Sequence, residues 1–126
     1  MEIIKIEGTE DTPLIILDNI NNVFRIIGTS TPENVIEFYA PVVDWINKIE
    51  NTLSGELICE FYFKYLSSSS HKIIYDILNK LEILAKKGHE ITILWKFLII
   101  DEDMQEVGED FSELVNLPFQ FVSIDV

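Results

Sequence analysis

Apolar residues in this chain follow two periods, and they alternate along its length: runs that repeat every second position, and longer stretches that repeat every third or fourth. Leu14-Ile15-Ile16-Leu17 and Val23-Phe24-Arg25-Ile26-Ile27 are β-branched runs. Between them Asp18-Asn19-Ile20-Asn21-Asn22 is rich in residues that tolerate turn conformations, so the pair predicts a hairpin. Thr31-Pro32-Glu33 then offers an N-cap, a proline at the first helical position and an acid in the first turn. Val35, Tyr39, Val42, Ile46 and Ile49 continue it as one apolar helical face, and Pro41 within that face predicts a kink or a break.

From Glu56 to Tyr65 the chain alternates strictly. Leu57, Cys59, Phe61, Phe63 and Tyr65 share one side, and Glu56, Glu60 and Lys64 point the other way, which is the clearest strand in the sequence. Beyond the serines at 67 to 70, Ile73, Ile74, Ile77, Leu78, Leu81, Leu84 and Ala85 form a broad helical stripe that Lys86-Lys87-Gly88 closes. Ile91, Ile93, Trp95 and Phe97 alternate again. Asp101-Glu102-Asp103 opens a third helix bearing Phe111 and Leu114, and residues 119–124 form a last strand. Strand and helix take turns through the second half, which predicts parallel crossovers. The fold class is α/β: one mixed sheet with an N-terminal hairpin and about three helices packed on it. No linker composition divides residues 1–126, so a single domain is expected.

Composition agrees with a folded domain: 48% of the residues are hydrophobic and 11% aromatic. The net charge of -13 repels phosphate backbones and anionic lipid, so neither nucleic acid nor membrane is an expected partner. The one cysteine, Cys59, lies in an apolar alternating stretch and has no partner for an internal disulfide. Met1-Glu2-Ile3-Ile4-Lys5 shows no basic stretch leading into an apolar run, and no segment approaches a membrane span. A cytoplasmic protein is the expectation.

The serine run stands where a strand meets a helix. Backbone N–H groups are unpaired at such a place, and the helix dipole favours negative charge. Capping needs one or two hydroxyls, whereas Ser67, Ser68, Ser69 and Ser70 supply four. Five of the nine basic residues, Lys64, Lys72, Lys80, Lys86 and Lys87, fall between positions 64 and 87, with His71 beside the serines. A phosphate there would meet local cations. Lys80, Lys86 and Lys87 read as a solvated helix face. The segment 101–113 carries seven acids and no base. It reads as an acidic helix start or a docking surface for a basic partner. A small metal-dependent hydrolase using Asp101 or Asp103 is the alternative. His71 and His89 have no cysteine or histidine at zinc-site spacing, so no metal site is expected from them.

Gly8-Thr9 with Thr12-Pro13, Gly28-Thr29-Ser30-Thr31-Pro32-Glu33-Asn34, Phe38-Tyr39, Pro41, Trp45, Tyr65-Leu66 with the serines and Lys72, Asp101-Glu102-Asp103-Met104, Gly108-Glu109 and Pro118-Phe119 together resemble the SiaC family of bacterial regulatory phosphoproteins. The likeness covers nearly the full length. It implies a STAS-like fold of the anti-sigma factor antagonist type and a partner-switching circuit. In that circuit a Ser/Thr protein kinase modifies the protein, a PP2C-type phosphatase reverses this, and the unmodified form binds and activates a diguanylate cyclase. Where the family has Leu-Asn-Thr-Ser-Ser, this chain has Leu66-Ser67-Ser68-Ser69-Ser70, which places Ser68 on the modified threonine, with Ser67 and Ser69 as alternatives. The expected partner-binding surface comprises Lys64, Ser67, Ser68, Ser69, Ser70, His71 and Lys72. No catalytic residue and no cofactor is expected.

Overall fold

Six strands form one sheet in the order in which they occur in the chain. In the computed structural model, which describes residues 3–125, they are β1 (Ile4–Ile6), β2 (Leu14–Asp18), β3 (Val23–Ser30), β4 (Leu57–Leu66), β5 (Ile91–Leu98) and β6 (Phe119–Ile124). Met1 and Glu2, the first two residues of the start read for a leader, lie outside the described residues. The pairs β1–β2 and β2–β3 are antiparallel, and the three pairs from β3 to β6 are parallel. The parallel pairs are linked by α1 (Val35–Lys48), α2 (Ser68–Lys86) and α3 (Glu102–Leu114). Each crossover advances one strand in the same direction, and such connections are right-handed, so all three helices fall on one face of the sheet. Among the described residues no helix is long and apolar enough to cross a membrane.

The register explains the core. Leu17, Phe24, Cys59 and Ile93 lie on neighbouring strands at one level, and Ile15, Ile26, Phe61 and Trp95 at the next. All eight are buried and point toward the helices, where Tyr39, Val42, Ile46, Ile74, Ile77, Leu78, Leu81 and Phe111 meet them. Trp95 is the hub. Its indole N–H donates to the Met104 carbonyl at 3.0 Å, and Phe111 meets its ring edge-on at 5.7 Å. Gly108 is the residue that lets α3 come this close, because a Cβ there would overlap the indole. The C-terminal end of α2 follows the expected pattern: Gly88 adopts φ 103°, and the His89 N–H reaches back to the Leu84 carbonyl at 3.3 Å.

Three local expectations are corrected, and one strand carries no signal in the sequence. The edge strand β1 was not foreseen, since three residues are too few for an alternation to register. Helix α1 starts at Val35, and its N-cap is Asn34 instead of Thr31. Thr31 is occupied elsewhere, with its N–H on the Asp11 carbonyl at 2.7 Å. Asn34 Oδ1 accepts from the Glu37 N–H at 3.1 Å, and Asn34 Nδ2 donates to Glu37 Oε2 at 3.1 Å, a reciprocal cap. The helix also runs through Pro41 without a break. Finally, Tyr65 leaves the face it was expected to share. The β3–β4 register shifts between Gly28 and Thr29, so Lys64 is bulged out and Tyr65 pairs with Thr29 on the opposite side, 59% exposed.

Candidate functional site at the mouth of α2

The bulge at Lys64 sets the geometry of the serine run. Past it, Ser30 and Leu66 pair over the core face, and the Ser67 N–H donates to the Ser30 carbonyl at 3.0 Å. This brings the end of β3 beneath the start of α2. Ser30 is fully buried, and its Oγ shares hydrogen bonds with Tyr39 OH at 2.6 Å and Ser70 Oγ at 2.8 Å. Burial pushes the Tyr39 phenol well above its usual range, which the Ser30 hydrogen bond only partly offsets, so the phenol stays protonated. Ser67 is the N-cap: its Oγ accepts the Ser70 N–H at 3.2 Å and donates to Ser70 Oγ at 3.0 Å.

The four serines therefore separate by position. Ser67 is half-buried and committed to the cap, and Ser70 is buried within the hydroxyl cluster. Ser70, expected on the partner-binding surface, has no exposed surface and anchors the helix mouth to β3. Ser68 and Ser69 are exposed. Ser69 Oγ lies 3.4 Å from Ser67 Oγ, while among the described residues Ser68 has no side-chain hydrogen bond. Ser68 is thus the unengaged hydroxyl of the run, in the first turn of α2, where its position relative to Lys72 is i, i+4.

His71 does not turn toward Ser68. Its ring lies on Phe111 with centroids 4.6 Å apart, tying α2 to α3. Lys72 is exposed and lines a groove of about 700 Å³ between α1 and α2. Val35, Ile36, Ala40 and Val43 form one wall, and Ser69, Ile73, Asp76 and Ile83 contribute to the other. The groove is apolar at its floor and opens at one end onto the serine mouth. Lys64 is exposed at the bulge, on the strand that feeds α2.

Several residues of this region carried no signal in the serine argument. The parallel strands all finish at the end of the sheet where the helices begin, and that end exposes Tyr65, Ile99 and Ile100, with Ile36 at the start of α1 72% exposed. Ile99 and Ile100 could have been noticed: they interrupt the two-residue period immediately before the Asp101 cap. Asp101 itself accepts the Met104 N–H at 3.0 Å and serves as the N-cap of α3. Among the described residues no three His, Cys, Asp or Glu side chains are placed to share a metal ion.

A one-sided α/β domain with an exposed hydroxyl at a helix mouth, next to an apolar groove, fits a small regulatory phosphoprotein. The chain belongs to the SiaC family of regulatory phosphoproteins, whose profile matches residues 6–124. It is 30% identical over 125 residues to an uncharacterized protein of Pseudomonas aeruginosa strain UCBPP-PA14, with 99% of each chain covered. Its fold matches apo-SiaC of Pseudomonas aeruginosa with a TM-score of 0.88 at 29% identity, covering 98% of this chain and 100% of that one. It also matches SiaC from the crystal structure of the diguanylate cyclase SiaD in complex with its activator SiaC, from the same organism. There the TM-score is 0.89 at 30% identity, with 96% of this chain and 99% of that one covered.

Proposed function

We propose that this chain is a cytoplasmic partner-switching regulator that acts by binding and not by catalysis. Unmodified, it binds and activates a diguanylate cyclase; a Ser/Thr protein kinase of the partner-switching type phosphorylates Ser68 and releases it, and a PP2C-type phosphatase restores it. The observation that carries this reading is the division of labour at the mouth of α2. Ser67 and Ser70 hold the structure, and Ser68 stands exposed and unengaged, adjacent in the chain to Ser69, which lines the α1–α2 groove. The cyclase partner is taken from the complex formed by the related SiaC.

Magnitudes locate the switch. A phosphate brings a charge of about -1.5 to -2. At a helix N-terminus it gains about 0.3–1 kcal/mol, so the fold tolerates it. Driving a partner from 99% bound to 1% bound takes about 5.5 kcal/mol of differential affinity, several times more. The opposing energy must come from the interface, where a dianion at the end of an apolar groove is desolvated or faces the partner's acids. Lys72, one helical turn on, can pair with the phosphate and so leave the rim of the groove.

Phosphosite mapping after reaction with the partner-switching kinase of the source organism tests this. One phosphate on Ser68, absent in Ser68→Ala, is the expected result. Modification of Ser67, Ser69 or Ser70 in place of Ser68, or none on the run at all, would contradict it.

A further inference from the structure

Among the described residues three buried side-chain polar atoms have no hydrogen-bond partner: Asn19 Oδ1, Asn22 Oδ1 and Trp45 Nε1. Two of them belong to residues that line one cleft of about 430 Å³ between β1 and α1, where Ile4, Pro41 and Ile49 supply apolar wall and Asp44 and Lys48 lie at the rim. Asn19 and Trp45 are each more than nine-tenths buried. Contacts behind the cleft hold both side chains in place. The Thr52 hydroxyl donates its one proton to the Ile49 carbonyl at 3.3 Å, so it accepts from Asn19 Nδ2 at 3.2 Å, and Oδ1 is the end of that amide left without a donor. The Trp45 ring packs against Phe24 with centroids 6.0 Å apart. Native proteins pair nearly all their buried polar groups, so an acceptor and a donor left over at one cleft call for a ligand that serves both.

We propose that this cleft binds a small neutral ligand of the amide class, a lactam or a pyrimidine base such as uracil, whose carbonyl accepts from the Trp45 indole N–H and whose N–H donates to Asn19 Oδ1. Neutrality follows from the two partners. Both are uncharged, and an ion held against them would lose its hydration with no buried charge to offset the loss. Asp44 and Lys48 are exposed, so water solvates them at the rim. The apolar wall suits the face of a small ring. The cleft is many times the roughly 30 Å³ share of one water molecule and falls within the size range of small-molecule sites. Asp44 also lines the α1–α2 groove, which sets an occupant beside the surface proposed for the cyclase, and the assignment does not depend on Ser68.

Nuclear magnetic resonance of the nitrogen-15-labelled full chain tests the site. The sequence holds two tryptophans, so two indole N–H signals are expected. Trp45→Phe, checked for folding by circular dichroism, removes one signal and so assigns both. Trp95, whose N–H is bonded to the Met104 carbonyl, serves as the internal reference. Uracil and 2-pyrrolidone are the probes, and 1,3-dimethyluracil and N-methyl-2-pyrrolidone, which keep the carbonyls and lack the N–H, are their controls. At least one probe should shift the Trp45 signal saturably, with a dissociation constant on the order of millimolar, and leave the Trp95 signal in place. Its methylated control should bind about 10-fold or more weakly, because it leaves Asn19 Oδ1 unpaired. No saturable shift with either probe would mean that the cleft holds water only and would overturn the proposal. So would equal affinity for the methylated controls, or equal movement of the two indole signals.

Discussion

Ser30 and Ser70, forty positions apart, share a buried hydrogen bond of 2.8 Å that pins the first turn of α2 to the last residue of β3. Tyr39 of α1 completes the cluster from the third side, at 2.6 Å from Ser30 Oγ. Three elements are thus held by hydroxyls where the core would otherwise be apolar. Removing Ser30 Oγ strands the buried Tyr39 hydroxyl and takes one of two hydroxyl partners from Ser70 Oγ, so Ser30→Ala should lower stability by about 1–3 kcal/mol in urea unfolding. Tyr39→Phe combined with Ser30→Ala should cost less than the two single changes summed, since the second substitution removes a group the first has already orphaned. Strict additivity in that cycle would show that the cluster is not a unit.

The serines should differ sharply in what their loss does to the fold. Ser67→Ala deletes the N-cap of α2 and should cost about 1 kcal/mol. Ser68→Ala touches no hydrogen bond and should stay within about 0.5 kcal/mol of the unsubstituted chain. Ser68→Asp should be neutral to slightly stabilising, because its charge lies at the positive end of the helix. Thermal unfolding of the three variants side by side reads the contrast; equal losses for Ser67→Ala and Ser68→Ala would contradict the assignment.

Gly108 should accept no larger residue. A methyl group there meets the Trp95 indole, which is fully buried and fixed by its bond to Met104, so α3 would have to move outward. Gly108→Ala should destabilise by about 1–3 kcal/mol and alter near-ultraviolet circular dichroism and tryptophan fluorescence. Unchanged spectra with unchanged stability would mean that α3 packs more loosely than described.

Asp18 supplies a pH dependence with a definite sign. The side-chain amide of Asn21 first, then the Asn21 and Ile20 N–H groups, hold its carboxyl below the usual 3.8. A carboxylate with a depressed value contributes stability that is complete above the ordinary value and lost as pH falls through the folded one. The stability difference between the unsubstituted chain and Asp18→Asn should therefore be constant near neutrality and shrink below pH 3.8. A difference that grows in acid would reverse the assignment.

Much of this architecture was legible from period alone. The alternation of Leu57 to Phe63 and of Ile91 to Phe97, and the stripe from Ile73 to Leu84, name strands and a helix because each is long enough to state its period and buries one side. What escaped depended on distant residues. Nothing near Thr31 reveals that Asp11 will take its N–H and pass the cap to Asn34, and a strict alternation through Tyr65 hides the bulge that reverses it. The serine run showed where a phosphate could sit. Ser30 engages Ser70 and the N-cap engages Ser67, contacts that no local pattern in the run reveals.

Affinity of the purified chain for the diguanylate cyclase proposed as its partner, measured by calorimetry for the unsubstituted protein, Ser68→Ala and Ser68→Glu, tests the central claim most directly. The alanine variant should bind as the unsubstituted chain does, and the glutamate variant about 100-fold or more weaker, since one introduced charge supplies part of the roughly 10⁴-fold shift a full switch requires. Undiminished affinity of Ser68→Glu would contradict the account.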